Sequence, residues 1–223
     1  YTNYFIGRVE QPIINDVSTV GFMATDLRRQ GGDPTSAFNM DWRMKFKDNK
    51  LFFNGQVAHS RAAGDPGMAG RYSLSYRDPV WWEIMTWGGY SDKNFDVNDM
   101  GFMRRNNSWD WGLRGKIRRD VPKGIFLKQE LSLRVGARGN NDGLITSKDI
   151  DFEQENTFMN YWSTGININL SPDVYEDDDL FRDSRAMVIK DEAWQSYELG
   201  FSTDRRKRII LNPSIGYTHG KVR

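Results

Sequence analysis

Apolar and polar side chains alternate along most of this chain. Between 36 and 46, Phe38, Met40, Trp42, Met44 and Phe46 interleave with Asn39, Asp41, Arg43 and Lys45. A helix would scatter those five apolar side chains around its axis, whereas a strand gathers them on one face. The same period recurs at 108–118, where Trp109, Trp111, Leu113 and Ile117 oppose Ser108, Asp110, Arg114, Lys116 and Arg118. At 124–138 the apolar set is Ile125, Leu127, Leu131, Leu133 and Val135, and at 162–170 it is Trp162, Ile166, Ile168 and Leu170. Shorter or noisier alternation at 2–10, 16–25, 51–60, 69–77, 80–91, 144–157, 193–203 and 208–218 raises the expectation to about twelve strands.

The links between these segments fall at 11–15, 26–35, 47–50, 61–68, 78–79, 92–107, 119–123, 139–143, 158–161, 171–192 and 204–207. Apart from the compact GNNDG turn at 139–143, every second link is the longer one. An up-and-down meander produces that rhythm when one rim carries turns and the other carries loops. No fixed period of 20–50 residues accompanies it, which argues against propeller blades and solenoids.

Alternating strands suit two opposite solvents. A soluble sandwich turns its apolar faces inward, and an outer-membrane barrel turns them towards lipid. Three features favour lipid. The segments run roughly 9–14 residues, where a tilted bilayer span needs about 9–11 and strands of globular proteins have about 5–6. Trp81, Trp82, Trp87, Tyr90, Trp109, Trp111, Trp162 and Tyr217 fall near strand ends, as an interfacial girdle requires. The polar faces mix amides, hydroxyls and charges of both signs. The expected fold is therefore an all-β, antiparallel, up-and-down transmembrane β-barrel, with a soluble β-sandwich or jelly-roll carbohydrate-binding module as the alternative.

Composition narrows the function. Lys and Arg number 31 against 30 Asp and Glu, a net charge of +1, which lacks the basic excess of a nucleic-acid binder. The absence of Cys removes disulfides, thiolate zinc sites and cysteine nucleophiles. No run of 18 apolar residues exists to make a transmembrane helix. The chain opens YTNYFIGRVE, without an initiator Met or signal peptide, and ends GKVR, without the aromatic that closes a barrel's last strand. The expectation is that residues 1–223 are a segment of a larger barrel.

Several stretches are similar to the bacterial family called domain of unknown function 5916. They are DWRMKFKDNKLFFNGQ (41–56), MAGR (68–71), FDVNDMGFMRR (95–105), FMNYWSTGININ (158–169) and STDRRK (202–207), of which NDMGF is the most specific. They keep their order over most of the chain. The resemblance implies an outer-membrane β-barrel of a Gram-negative-type bacterium, typically preceded by a family-nine carbohydrate-binding module that lies outside this chain. It further implies a non-enzymatic, porin-like pore, transport scaffold or surface anchor, with links to carbohydrate binding or uptake. The implied partners are outer-membrane lipid, other outer-membrane or periplasmic proteins and a carbohydrate ligand.

Candidate chemistry is sparse. His59 and His219 have no ligand-like spacing to each other, and no GxSxG, P-loop or GxGxxG occurs in a strand-to-helix setting. No catalytic residue, cofactor or metal is expected. The acidic run 176–179 (EDDD) lacks the spacing of a calcium loop and reads as solvated charge. The 92–107 link is the best candidate, because a freely solvated loop has no use for four large apolar residues. There Phe95, Asp96, Asn98, Asp99, Phe102, Arg104 and Arg105 are expected to form a lumen plug or to pack on neighbouring loops or a partner. Strand parity puts Trp42, Met44, Leu113, Leu131, Leu133 and Ile166 on the lipid face. It puts Asp41, Arg43, Arg114, Lys128, Glu130, Arg134, Asp149 and Glu155 on the lumen face. Around the GNNDG hairpin, one register sets Arg134 beside Asp149 and Lys128 beside Glu155, with Glu130 against Glu153 relieved by a neighbouring cation or a one-step diagonal shift; a register two residues away sets Lys128 against Glu153 instead.

Overall fold

The structure is a computed structural model that describes residues 1–62, 64–101, 103–177 and 188–220. Twelve strands form one antiparallel sheet in chain order. They are β1 (Thr2–Pro12), β2 (Thr19–Arg29), β3 (Thr35–Phe46), β4 (Leu51–Ala62), β5 (Asp65–Arg77), β6 (Trp82–Ser91), β7 (Ser108–Arg119), β8 (Phe126–Gly139), β9 (Ile145–Phe158), β10 (Ser163–Ser171), β13 (Trp194–Ser202) and β14 (Ser214–Gly220). The short strands β11 (Val174–Glu176) and β12 (Ile189–Asp191) pair as a separate ribbon inside the link from β10 to β13. β1 and β14 end the order and are not paired to one another among the described residues. No helix there is long and apolar enough to cross a membrane.

Several expected links change. The 61–68 link shrinks to residues 63–64 because β4 and β5 pair out to Ala62 and Asp65. Small residues there (Ala58, Gly67, Ala69, Gly70) hide the alternation that would have marked the ladder. The 26–35 link is likewise only 30–34. Conversely, the tight turn at 204–207 belongs to an eleven-residue link, 203–213, and β14 starts at Ser214 rather than 208. Ile209, Ile210 and Leu211 run without alternation, and Pro213 cannot donate to a ladder. The two longest links, 92–107 and 172–193, do belong to the alternate series, but its other members are short.

The chain divides into two compact units. The first comprises Tyr1–Tyr76, Thr86–Trp111 and Gly139–Leu144, and its registers define two faces. One face carries apolar rows: Val9–Phe22–Met40–Val57–Gly70, Val20–Trp42–Gly55–Tyr72 and Met44–Phe53–Leu74. The other carries polar rows: Glu10–Gly21–Asp41–Gln56–Arg71 and Thr19–Arg43–Asn54–Ser73. The glycines fit the rows they interrupt. The Trp42 indole lies where a Cβ on Gly55 would stand, 2.3 Å away, so this aromatic covers a neighbouring strand that has no side chain of its own there.

The second unit comprises Arg77–Met85, Gly112–Arg138 and Ile145–Arg223. Its apolar rows are Phe152–Ile168–Tyr197–Tyr217 and Ile166–Leu199–Ile215. Asp151, Glu153 and Glu155 share the opposite face with Asn169, Asn167 and Gly165. These parities agree with the alternation read from the sequence for β9 and β10.

Burial is inverted relative to a water-soluble core. Among the described residues the buried apolar side chains are Val20, Leu27, Phe95 and Val174. Phe22, Phe38, Phe53, Val57 and Leu74 in the first unit, and Leu131, Leu133, Leu199 and Ile215 in the second, are exposed. The buried polar group includes Ser18, Thr35, Ser60, Ser132, Asn140, Ser202 and Asp204.

Candidate functional site

The polar face of the first unit frames a cavity of about 940 Å³. Arg8, Asn39, Asp41, Arg43, Asn54, Gln56, Arg71, Ser73, Trp87 and Asp110 line it. Alternation puts one of these side chains at every second position, and the register aligns them across strands. Arg8 donates to both carboxylate oxygens of Asp41, at 2.8 and 3.1 Å, and to Glu10 at 3.0 Å. Arg43 closes the cluster on Glu10. The Arg8–Asp41 pair reaches across β2 at Gly21, where an added Cβ would lie 2.9 Å from the guanidinium and from the Asp41 carboxylate. Ion pairing holds these groups in place, leaving the amides of Asn54 and Gln56, Arg71 and the Trp87 ring as the lining that can meet a solute. Trp87, expected in an interfacial girdle, sits inside β6 and lines this cavity instead. Its odd number, shared with Glu83, could have shown this.

The 92–107 link packs on the strand ends at one rim of the same unit. Asp92 shapes it: one carboxylate oxygen accepts the N–H groups of Asn94 and Phe95, at 3.0 and 2.7 Å, and the other accepts that of Met68 at 2.7 Å. Phe95 is 8% exposed, and its backbone passes over Gly67, where a Cβ would lie 2.3 Å from the Phe95 N and Cα. The Asp96 N–H donates to the buried Ser60 hydroxyl at 2.9 Å, and the Asp96 carboxylate accepts the Asn98 N–H at 2.9 Å. Asn98 in turn accepts the Met103 N–H at 3.1 Å. Asp99 accepts from the Thr35 hydroxyl at 3.0 Å and pairs with Arg29 at 2.8 Å, and these contacts hold its carboxyl below the usual range. Lys93 and Asn107 both bind Asp142 in the GNNDG turn and lower its pKa in the same way. Arg104 is exposed and Arg105 half-buried, while Phe102 lies outside the described residues. Of the acidic run 176–179, positions 178 and 179 also lie outside them.

In the second unit the expected lumen charges form a broken chain. Arg114 and Arg77 both bind Glu83, at 3.1 and 3.0 Å. Lys116 binds Glu130 at 2.6 Å, and Lys128 approaches Glu130 and Asp120 at 3.7 and 3.8 Å. Arg134 bridges Asp149 and Asp151, each at 2.9 Å. The Arg134–Asp149 contact is the expected one, and Lys116 and Lys128 are the cations that relieve Glu130. Lys128 does not meet Glu155: it stays on β8's own side, and Glu155 lines a separate cavity of about 300 Å³ with Ser163, Ser202, Arg205 and Asn212. Alternation alone does not mark Arg8, Glu10, Glu83 and Lys116 as site residues, although their strand parity is legible. Their partners on other strands lie one strand away for Glu83 and Lys116 and two away for Arg8 and Glu10, and register is not legible.

This wall, apolar on one side and lined with paired charges on the other, defines an antiparallel, up-and-down all-β domain. The chain belongs to the family described as Domain of unknown function (DUF5916), whose model matches residues 1–222. No curated protein and no solved structure matches it.

Proposed function

We propose that this chain forms part of the wall of an outer-membrane β-barrel in a Gram-negative-type bacterium. In this reading the rows through Phe22, Met40 and Val57, and through Ile166, Leu199 and Ile215, face lipid acyl chains. The ion-paired rows line an aqueous lumen. The role is non-enzymatic: a pore, a transport scaffold or a surface anchor. The observation that carries it is the inverted burial. Aligned apolar rows stay exposed, while the charges on the opposite face are partly covered and paired. A bilayer satisfies both faces, because lipid takes the apolar rows and the lumen hydrates the charges. Strands β1 to β9 have 10–14 residues and so meet the span requirement.

A soluble carbohydrate-binding sandwich is the rival. It requires a second layer over the apolar rows, and those rows are exposed in both units. A carbohydrate remains the ligand class suited to the cavity of the first unit, where the Trp87 ring stands among Asn54, Gln56 and Arg71. There it would be a cargo rather than the ligand of a soluble module.

Fractionation separates the two readings. The barrel chain should pellet with membranes, need detergent for release and migrate differently on gels before and after boiling. Recovery in the aqueous fraction with unchanged mobility would sink the membrane reading.

A further inference from the structure

The link 203–213 holds four cations, Arg205, Arg206, Lys207 and Arg208, against one acid, Asp204. Arg206 is spent on that acid: its guanidinium donates to both Asp204 oxygens at 2.8 Å and lies 3.2 Å from the Tyr161 ring centroid. Arg205 lines the cavity that also holds Glu153 and Glu155. Lys207 and Arg208 are exposed and make no ion pair among the described residues, although Lys207 adds to the field that holds the Asp204 carboxyl down. Lys207 lines a groove of about 600 Å³ together with Arg206, Tyr161, Met159, Trp162, Ile209 and Leu211. Ile209 is 75% exposed and Leu211 59%. A cation outside any ion pair, Lys207, therefore lies in an apolar trough between two links, and Arg208 follows it in the chain.

We propose that this rim is a docking surface for anionic glycerophospholipid, with the headgroup phosphate at Lys207 and Arg208 and the acyl chain along Ile209 and Leu211. The inference rests on the membrane reading above and names its partner at one edge. Charge complementarity selects an anionic lipid: cations near such a surface attract it, and exposed Trp and Tyr favour the headgroup layer. The other links of this unit in the same alternate series, 78–81, 120–125 and 159–162, are short, as turns on the periplasmic side of a barrel are. A periplasmic protein segment would need acids to answer Lys207 and Arg208, and it would bind whichever lipid is present.

The test folds the full-length protein into vesicles of phosphatidylcholine alone and of phosphatidylcholine mixed with phosphatidylglycerol. Energy transfer from tryptophan to dansyl-labelled phosphatidylglycerol is compared with transfer to dansyl-labelled phosphatidylcholine. The wild type should prefer the anionic label, and added salt should erase the preference. Lys207→Gln and Arg208→Gln should each lower it about fivefold, whereas Lys207→Arg should retain it. Insertion, read from the gel shift before and after boiling, should be the same in all variants. Equal transfer to both labels in an inserted wild type, or an unchanged preference in the double Gln variant, overturns the lipid site and leaves the barrel reading standing. A full-length protein that inserts into neither vesicle overturns both.

Discussion

The 92–107 link in the first unit and the 203–213 link in the second carry the same mixture of charges and large apolar side chains. Phe95 is 8% exposed in the first, and Ile209 is 75% exposed in the second. The difference lies in what faces each one. Gly67 leaves room in β5 for the backbone at Phe95 to approach, and Asp92, Asp96 and Asn98 bind nearby backbone N–H groups, so the link holds its shape while it packs. In 203–213 the local bonds are of the same kind: Asp204 accepts from Arg206, and Thr203 exchanges bonds with Leu211. Ile209, Ile210 and Leu211 nevertheless stay in solvent. One link buries its leading apolar side chain, and the other leaves its apolar residues exposed.

The sharpest way to break this comparison is at Phe95 and Gly67. Phe95→Ala should destabilise the first unit by about 3–5 kcal/mol, the usual cost of truncating a buried phenylalanine. Gly67→Ala should lift the link, because its Cβ would meet backbone atoms of Phe95 that cannot rotate away. Ile209→Ala should leave stability in detergent within about 0.5 kcal/mol, as exposed positions do. Urea unfolding curves for the three variants decide the matter. A Phe95→Ala curve no further shifted than Ile209→Ala would mean that the packed link contributes nothing.

The next effect extends the comparison from link to strand. If exposed side chains such as Leu133 meet lipid as proposed, Leu133→Arg should hinder assembly in lipid vesicles by about 2–4 kcal/mol. Arg134→Leu, on the other face, should disturb it far less. Equal and mild effects of the two in a vesicle folding assay would count against lipid on that face.

Much of this was legible in the residues. Alternation through Phe38, Met40, Trp42, Met44 and Phe46 located β3 to within one residue at its start, because every second position is large and apolar. It failed between β4 and β5, where Ala58, Gly67, Ala69 and Gly70 pair in register without any apolar contrast. It failed again after 203, where consecutive apolar residues resembled a strand. The 92–107 link stood out by composition, but its anchors Ser60, Gly67 and Arg29 are distant in sequence, and nothing local in them announces a partner. Lys128 illustrates the same limit. Its face, and its approach to Glu130 two positions along the same strand, follow from parity, while its contact with Asp120 depends on how the preceding link folds, which no alternation encodes.

A smaller effect should appear at acid pH in the second link. Arg206 binds the nearly buried Asp204 carboxylate through two nitrogens and lowers its pKa to about 2. A carboxyl held below its unfolded value of about 3.9 stabilises the fold above that pH, and the contribution fades as pH falls towards the folded value. The thermal midpoint of the wild type should therefore drop relative to Asp204→Asn between about pH 4 and about pH 2, and the gap should be constant at neutral pH. Parallel midpoints through that window would show that the pair does not act on stability.

The smallest effect separates a half-wet ion pair from a nearly buried one. Arg134 lies 2.9 Å from both Asp149 and Asp151, the geometry of a firm bridge, yet its side chain is 45% exposed and each aspartate 32%, against 5% for Asp204. Water and salt therefore screen it, and removing it should cost only about 0.2–1 kcal/mol. Because two carboxylates share one guanidinium, Asp149→Asn alone should cost less than Arg134→Gln, which leaves both acids facing each other. A double-mutant cycle between these two changes should give a coupling energy inside that range, and it should shrink as ionic strength rises and the screening length falls to about 10 Å at 0.1 M. Coupling well above 1 kcal/mol, insensitive to salt, would mean that this face is as dry as the pocket around Asp204. A water-filled lumen in the second unit could not then be sustained.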